Sequence, residues 1–171
     1  MQAEWAACCS AVTSSRPGKF RYLVHAIDTE LTTPDLAATK ITNPSRQLSS
    51  LSYITESQPY TFLDLRVGLI YHVPAKHFIA SSAADFASNH REDLAPLYSR
   101  SIGLQTPSEI LAEPGPPIWN EVLVFRVLEA DGATSQIVPQ GIFIKSTATD
   151  DEVNFASRLS EITTLPIVWI N

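Results

Sequence analysis

Apolar and polar positions alternate most clearly in short runs. In FRYLVHAI, residues 20–27, Phe20, Tyr22 and Val24 alternate with Arg21, Leu23 and His25. β-forming residues dominate this run, so it predicts a strand, the first of the fold. SSLSYI (49–54) predicts a second, short strand. VGLIYHVP (67–74) is more uniformly apolar, as a buried strand is, and Pro74 ends it. EVLVFRVL (121–128), the turn pair Asp131-Gly132 and SQIVPQGIFIKS (135–146) together predict a hairpin. TLPIVWI closes the chain as a strand.

Helical spacing is rarer. Thr33-Pro34-Asp35 opens a short helix through Ala38, with proline in the first turn. SSAADFASNHREDLAPLYSR has helical periodicity, with Ser82 as N-cap, Asp85 three residues on, and Pro96 as its end or kink. TDDEVNFASRLSEI carries a capping-box pattern from Thr149 to Glu152 and sets Val153, Ala156 and Leu159 on one face. ESQPYTFLDLR fits helix or loop. SIGLQTPSEILAEPGPP predicts a long proline-rich loop, and long loops inside compact domains are often functional.

Strands outnumber helices and regular strand–helix–strand units are few, so the expected class is α+β rather than a doubly wound parallel sheet. Residues 1–18 end in Arg16-Pro17-Gly18 and predict a flexible N-terminal tail; 19–171 predict a single α+β domain. With 171 residues, 44% of them apolar, the chain is long enough for a sizeable core. Only 18% of residues are charged, against roughly 25% on average, which argues for a compact body.

A net charge of −6 and a pI near 5.1, with no block of Lys or Arg, argue against nucleic acid and against an anionic membrane surface as partners. No apolar run reaches the roughly 18 residues a membrane helix needs. The first residues lack the charged-then-apolar order of a secretory signal. Export would therefore need a specialised route, and the chain is otherwise cytoplasmic or a fragment of a longer one. Cys8 and Cys9 are adjacent and supply no disulfide framework.

Much familiar chemistry is absent. Six glycines build no phosphate loop, and no G-x-S-x-G occurs. His72, His77, His90 and Asp85 assemble a metal site only on paper, so no metal is expected.

Three elements remain. LVHAID puts His25 near the end of the first strand. SSLSYI puts Ser50 and Ser52 two apart, hence on one face of the second. PIWNEVLV puts Glu121 at the start of a later strand, behind the proline-rich loop. Taken singly, these are commonly a structural histidine, an exposed serine face and a solvated strand end. Their order and the loop length join them.

In this order the chain resembles the ADP-ribosyltransferase toxin and effector family. There a first strand ends in Arg or His, a later strand carries Ser-x-Ser, and a mobile loop leads into a strand that begins with the essential Glu. The resemblance spans roughly residues 20–146. It implies two small antiparallel-rich β-sheets around a cleft with flanking helices, NAD as a substrate, and a protein as the acceptor of ADP-ribose. It implies Glu121 as the catalytic residue. His25, Ser50 and Ser52 would hold the dinucleotide, Tyr53 would stack on nicotinamide, and Trp119 would contact the target. The family's histidine form continues with Gly and then Thr or Ser, where this chain has Ala26, Ile27 and Asp28. The arginine-modifying branch has Glu or Gln where this chain has Trp119, which points away from arginine as the modified side chain.

A second class of reading is a non-catalytic secreted effector or protein-interaction domain that recognises its partner through the prolines of 106–117. A third is a hydrolase or lyase using His25 or His72 with Asp64 or Asp85. Release of nicotinamide from NAD separates the first reading from both.

Overall fold

A computed structural model describes residues 4–5, 20–42, 48–82, 105–112, 119–125 and 137–171. Along the chain these form β1 (Arg21–Ala26), α1 (Pro34–Thr42), β2 (Leu48–Thr55), β3 (Val67–His72), β4 (Phe78–Ser82), α2 (Pro107–Ala112), β5 (Glu121–Phe125), β6 (Val138–Lys145), α3 (Asp150–Thr163) and β7 (Ile167–Ile170). The class is α+β. The strands build one seven-stranded sheet in the order β4-β5-β2-β1-β3-β6-β7. Every pairing is antiparallel except β6 with β7.

The expected two sheets are therefore one. The reason lies in how β1 and β2 share their edges. They pair with each other from Arg21–Thr55 to Val24–Ser52. On its other edge β1 pairs with β3, from Leu23–Tyr71 to Ala26–Gly68. The other half of β2 pairs with β5, from Leu48–Phe125 to Leu51–Val122. A four-pair ladder thus ties two wings into one sheet.

The expected hairpin between 121–128 and 135–146 is also corrected. β5 spends its two edges on β2 and β4, and β6 on β3 and β7. Asp131 and Gly132 lie outside the described residues. So does most of the helix expected from 82 onward, although Ser82 itself ends β4 opposite Glu121. The helix at Thr33-Pro34 forms as expected and runs on to Thr42.

Side chains on one face of the sheet feed two cores. Leu23, Leu51, Tyr53, Val122 and Val124 pack with Phe78, Ile110 of α2 and Trp5. Val67, Leu69, Ile142 and Ile144 pack under Ala37 and Ala38 of α1 and Phe155, Ala156 and Leu159 of α3. The opposite face carries Tyr22, Val24, Ile54, Ile70, Phe143 and Ile170. Trp5 overturns the expected flexible tail at that residue: it is 0% exposed.

Gly68 is required by close approach. A Cβ there would collide with the carbonyl oxygen of His25, the Cα of Ala26 and the ring edge of Phe143. Two of those three are backbone and cannot swing away. Gly68→Ala is expected to cost about 1–3 kcal/mol, as overpacked cores do, and to push the end of β1 that carries His25. The check is a urea melt; an unchanged midpoint would show that β1 and β3 have room to part.

α3 starts as the sequence predicts. The Thr149 backbone N–H donates to Glu152 Oε2 at 2.7 Å, and the Glu152 N–H donates to Thr149 Oγ1 at 3.3 Å. Arg66 Nε adds bonds to both Glu152 oxygens, at 3.1 and 2.9 Å. Burial pushes the Glu152 carboxyl upward, but the Thr149 bonds and Arg66 outweigh it and hold the carboxyl below its ordinary value. The folded state thus binds this proton less readily than the unfolded chain. Stability from Glu152 is full above the unfolded pKa of about 4.3 and is lost as pH falls through the lower folded value. Urea midpoints measured from pH 6 down to pH 3 should fall in the wild type, and Glu152→Gln should remove part of that fall.

Candidate functional site

The site lies where the β1–β2 ladder ends. Continuing that register would set Ala26 opposite Ser50, but Ala26 pairs with Gly68 on the other side. The Ser50 carbonyl is met by a side chain: His25 Nδ1 lies 3.0 Å from it. A carbonyl can only accept, so Nδ1 carries the proton, and a neutral ring then presents Nε2 as an acceptor. His25 is exposed at this point.

Ser50 also faces β5. Its Oγ donates to Glu121 Oε1 at 2.5 Å, across 71 positions of sequence. A hydroxyl bonded to a carboxylate is of the stronger, charge-assisted kind. The registers explain the meeting. Ser50 lies opposite Leu123, and Glu121 is two residues before Leu123, so both side chains leave the same face. Ser52 shares it, opposite Val24, and is 7% exposed. Glu121 is half-buried, held against β2 rather than left as a solvated strand end.

His25, Ser50 and Glu121 therefore form one hydrogen-bonded row across β1, β2 and β5. The pleat sends the His25 side chain toward the helix-covered face, where its partner Leu69 packs. The Ser50 carbonyl lies in the plane of the sheet, so the imidazole reaches it from that side while the hydroxyl reaches Glu121 from the other. The expected dinucleotide site shared by His25 with Ser50, Ser52 and Glu121 is thus corrected, because strand alternation sends the His25 ring to the opposite face.

Tyr53 does not join them. One position beyond Ser52, it points to the other face, is 1% exposed, and meets Trp5 edge-on at 5.3 Å between ring centroids. Its ring belongs to the core, so the expected stacking on nicotinamide is corrected. Trp119 is half-buried and packs edge-to-face with Phe62 at 5.2 Å. Phe62 opens a one-turn 3-10 segment, Phe62–Asp64, in which Leu63 and Asp64 have φ of 50° and 54°. Such left-handed backbone is uncommon outside glycine. Here Asp64 is held by Lys145 Nζ at 2.6 Å.

The expected loop before Glu121 is partly helix. α2 starts with a Thr106–Glu109 pair: the Thr106 N–H donates to Glu109 Oε2 at 2.6 Å, and the Glu109 N–H donates to Thr106 Oγ1 at 3.2 Å. Residues 113–118 lie outside the described ones. His72 is exposed at the end of β3 and His77 is fully buried, while Asp85 and His90 lie outside the described residues. Among the described residues no group of three or more His, Cys, Asp or Glu is placed to hold a metal ion, and no helix is long and apolar enough to cross a membrane.

The residue that sequence reasoning missed is Asn120. It is 4% exposed, and its amide meets the backbone of Tyr53 at two points, 2.7 Å each. Its signal was a polar residue just ahead of an apolar strand. No family model matches the chain, and no curated protein or solved structure is significantly similar to it.

Proposed function

We propose that the chain is an NAD-dependent mono-ADP-ribosyltransferase, a toxin or effector catalytic domain that modifies a protein. The observation that carries the reading is the hydrogen-bonded row from His25 through Ser50 to Glu121. It ties Glu121 to the Ser-x-Ser strand through the Ser50 hydroxyl, and His25 to the same strand through the Ser50 carbonyl from the opposite face.

The chemistry follows from these groups. Cleavage of the bond between ribose C1′ and the nicotinamide nitrogen leaves its electron pair on nicotinamide and positive charge on the ribose. Glu121 would stabilise that charge and accept a hydrogen bond from a ribose hydroxyl. Ser50 would hold the carboxylate in place. His25 would hold the Ser50 backbone from the helix-covered face and so support the strand that carries the Ser50 hydroxyl. A nucleophilic side chain of the target would then bond to C1′ and lose its proton. Trp119 with Phe62 would flank the position the target approaches. NAD is a substrate here, and export into a target cell belongs to the same reading.

The test is nicotinamide release from NAD, with NAD affinity taken by calorimetry and transfer followed with labelled NAD in a cell lysate. A chain that binds no NAD and labels no protein is not this transferase, and the reading is then lost.

A further inference from the structure

We infer that Asn120 is a positioning residue whose side-chain amide sets the register in which Glu121 meets Ser50. Its catalytic consequence rests on the function proposed above; the register argument does not.

The β2–β5 ladder pairs Ser50 with Leu123 and Leu51 with Val122. Carried two positions further, it sets Asn120 opposite Tyr53. There the side chain of Asn120 does what a peptide group does in a ladder. The Tyr53 N–H donates to Asn120 Oδ1 at 2.7 Å, and Asn120 Nδ2 donates to the Tyr53 carbonyl at 2.7 Å. Tyr53 N–H can only donate and its carbonyl can only accept, so the amide has one orientation. Both groups are buried, where an unmade bond is costly.

This pairing selects one register. A slip of one residue would turn every β5 side chain to the other face. It would carry Glu121 to the side of Leu51 and Tyr53, and move the amide away from the Tyr53 backbone. In the observed register the residue after Asn120 faces the Ser50 hydroxyl. No neighbour of Asn120 offers a donor and an acceptor at the same spacing: Trp119 has one ring donor and Glu121 only acceptors.

The test uses the full chain in solution. In the wild type, nuclear Overhauser contacts should link the Ser50 β-protons with the Glu121 γ-protons. Asn120→Ala should lose them while α3 keeps its dispersed amide signals, and kcat for nicotinamide release should fall about 10–100-fold with KM for NAD changed less than about threefold. Contacts retained in Asn120→Ala overturn the proposal.

Asn120→Asp decides the matter if the alanine variant unfolds. A carboxylate keeps only the bond from the Tyr53 N–H, whereas a protonated carboxyl mimics both. The Ser50–Glu121 contacts of this variant, relative to wild type, should therefore grow as pH is lowered; a flat ratio overturns the proposal. Wild type that releases no nicotinamide, with contacts that still depend on Asn120, sinks the transferase reading and leaves the register role standing.

Discussion

Replacing Glu121 with Gln is expected to slow nicotinamide release about 10²–10³-fold, the loss seen when one electrostatic transition-state contact is removed. The substitution is close to isosteric, and Oε1 can still accept from Ser50 Oγ. What disappears is the negative charge facing the ribose. That charge matters most while the glycosidic bond is breaking, so the affinity for intact NAD should change much less than kcat. Ser50→Ala leaves the charge and removes its anchor. A hydrogen bond to a charged group contributes about 1.5–3 kcal/mol, so this variant should lose about 10- to 150-fold. His25→Ala removes only the bond to the Ser50 carbonyl and should slow nicotinamide release less than Ser50→Ala does. If Glu121→Gln keeps full activity, the residue that opens EVLV is a strand end and the proposed role is wrong.

The local elements were legible where one physical signal dominated. Alternation placed β1 and β2, an apolar run placed β3, and the Thr149–Glu152 box placed the start of α3. The errors came where partners far along the chain decide. Asp131-Gly132 is a good local turn signal, yet β5 and β6 belong to different wings of the sheet. β4 was missed because AKHFIASS, with Pro74 just ahead, has weak β propensity of its own. It becomes a strand by pairing with β5. α2 hid among prolines, although Thr106 and Glu109 stand at capping-box spacing.

The site was legible to a similar degree. Motif order brought Ser50 and Glu121 together, and β2–β5 pairing is the reason they meet. Alternation applied one position further would have excluded Tyr53, since Ser50 and Ser52 facing one way send Tyr53 the other. Asn120 stood out only as a polar residue ahead of an apolar strand, and its role was not readable from that signal alone. An amide that imitates a peptide group has no meaning until the register of the opposite strand is known.

The N-terminal stretch gives the largest expected effect on stability. The sequence predicts a flexible tail over residues 1–18, whereas Trp5→Ala should destabilise the fold by about 3–5 kcal/mol, the usual cost of truncating a buried Trp or Phe to Ala. Trp5 is fully buried, stacks on Phe78 at 5.6 Å between centroids, and meets Tyr53 edge-on. Its Nε1 donates to the Gln105 carbonyl at 2.8 Å, and the Ser81 hydroxyl uses the same oxygen. The indole thus fills the space between β2, β4 and the segment leading into α2. In a chain of this size the loss should lower the melting temperature by about 6–20 °C. Trp5→Phe keeps most of the apolar area and gives up the hydrogen bond, so it should cost less, about 1–2 kcal/mol. The effect should also reach the site. Trp5 rests against Tyr53, and the Tyr53 backbone holds the amide of Asn120. A cavity there loosens the strand start that carries Glu121, so activity should fall before the fold is lost. Urea melts followed by circular dichroism, with nicotinamide release measured at low urea, separate the two effects. A midpoint for Trp5→Ala equivalent to wild type within about 0.5 kcal/mol, the usual range of surface substitutions, would mean that this ring is no part of the core.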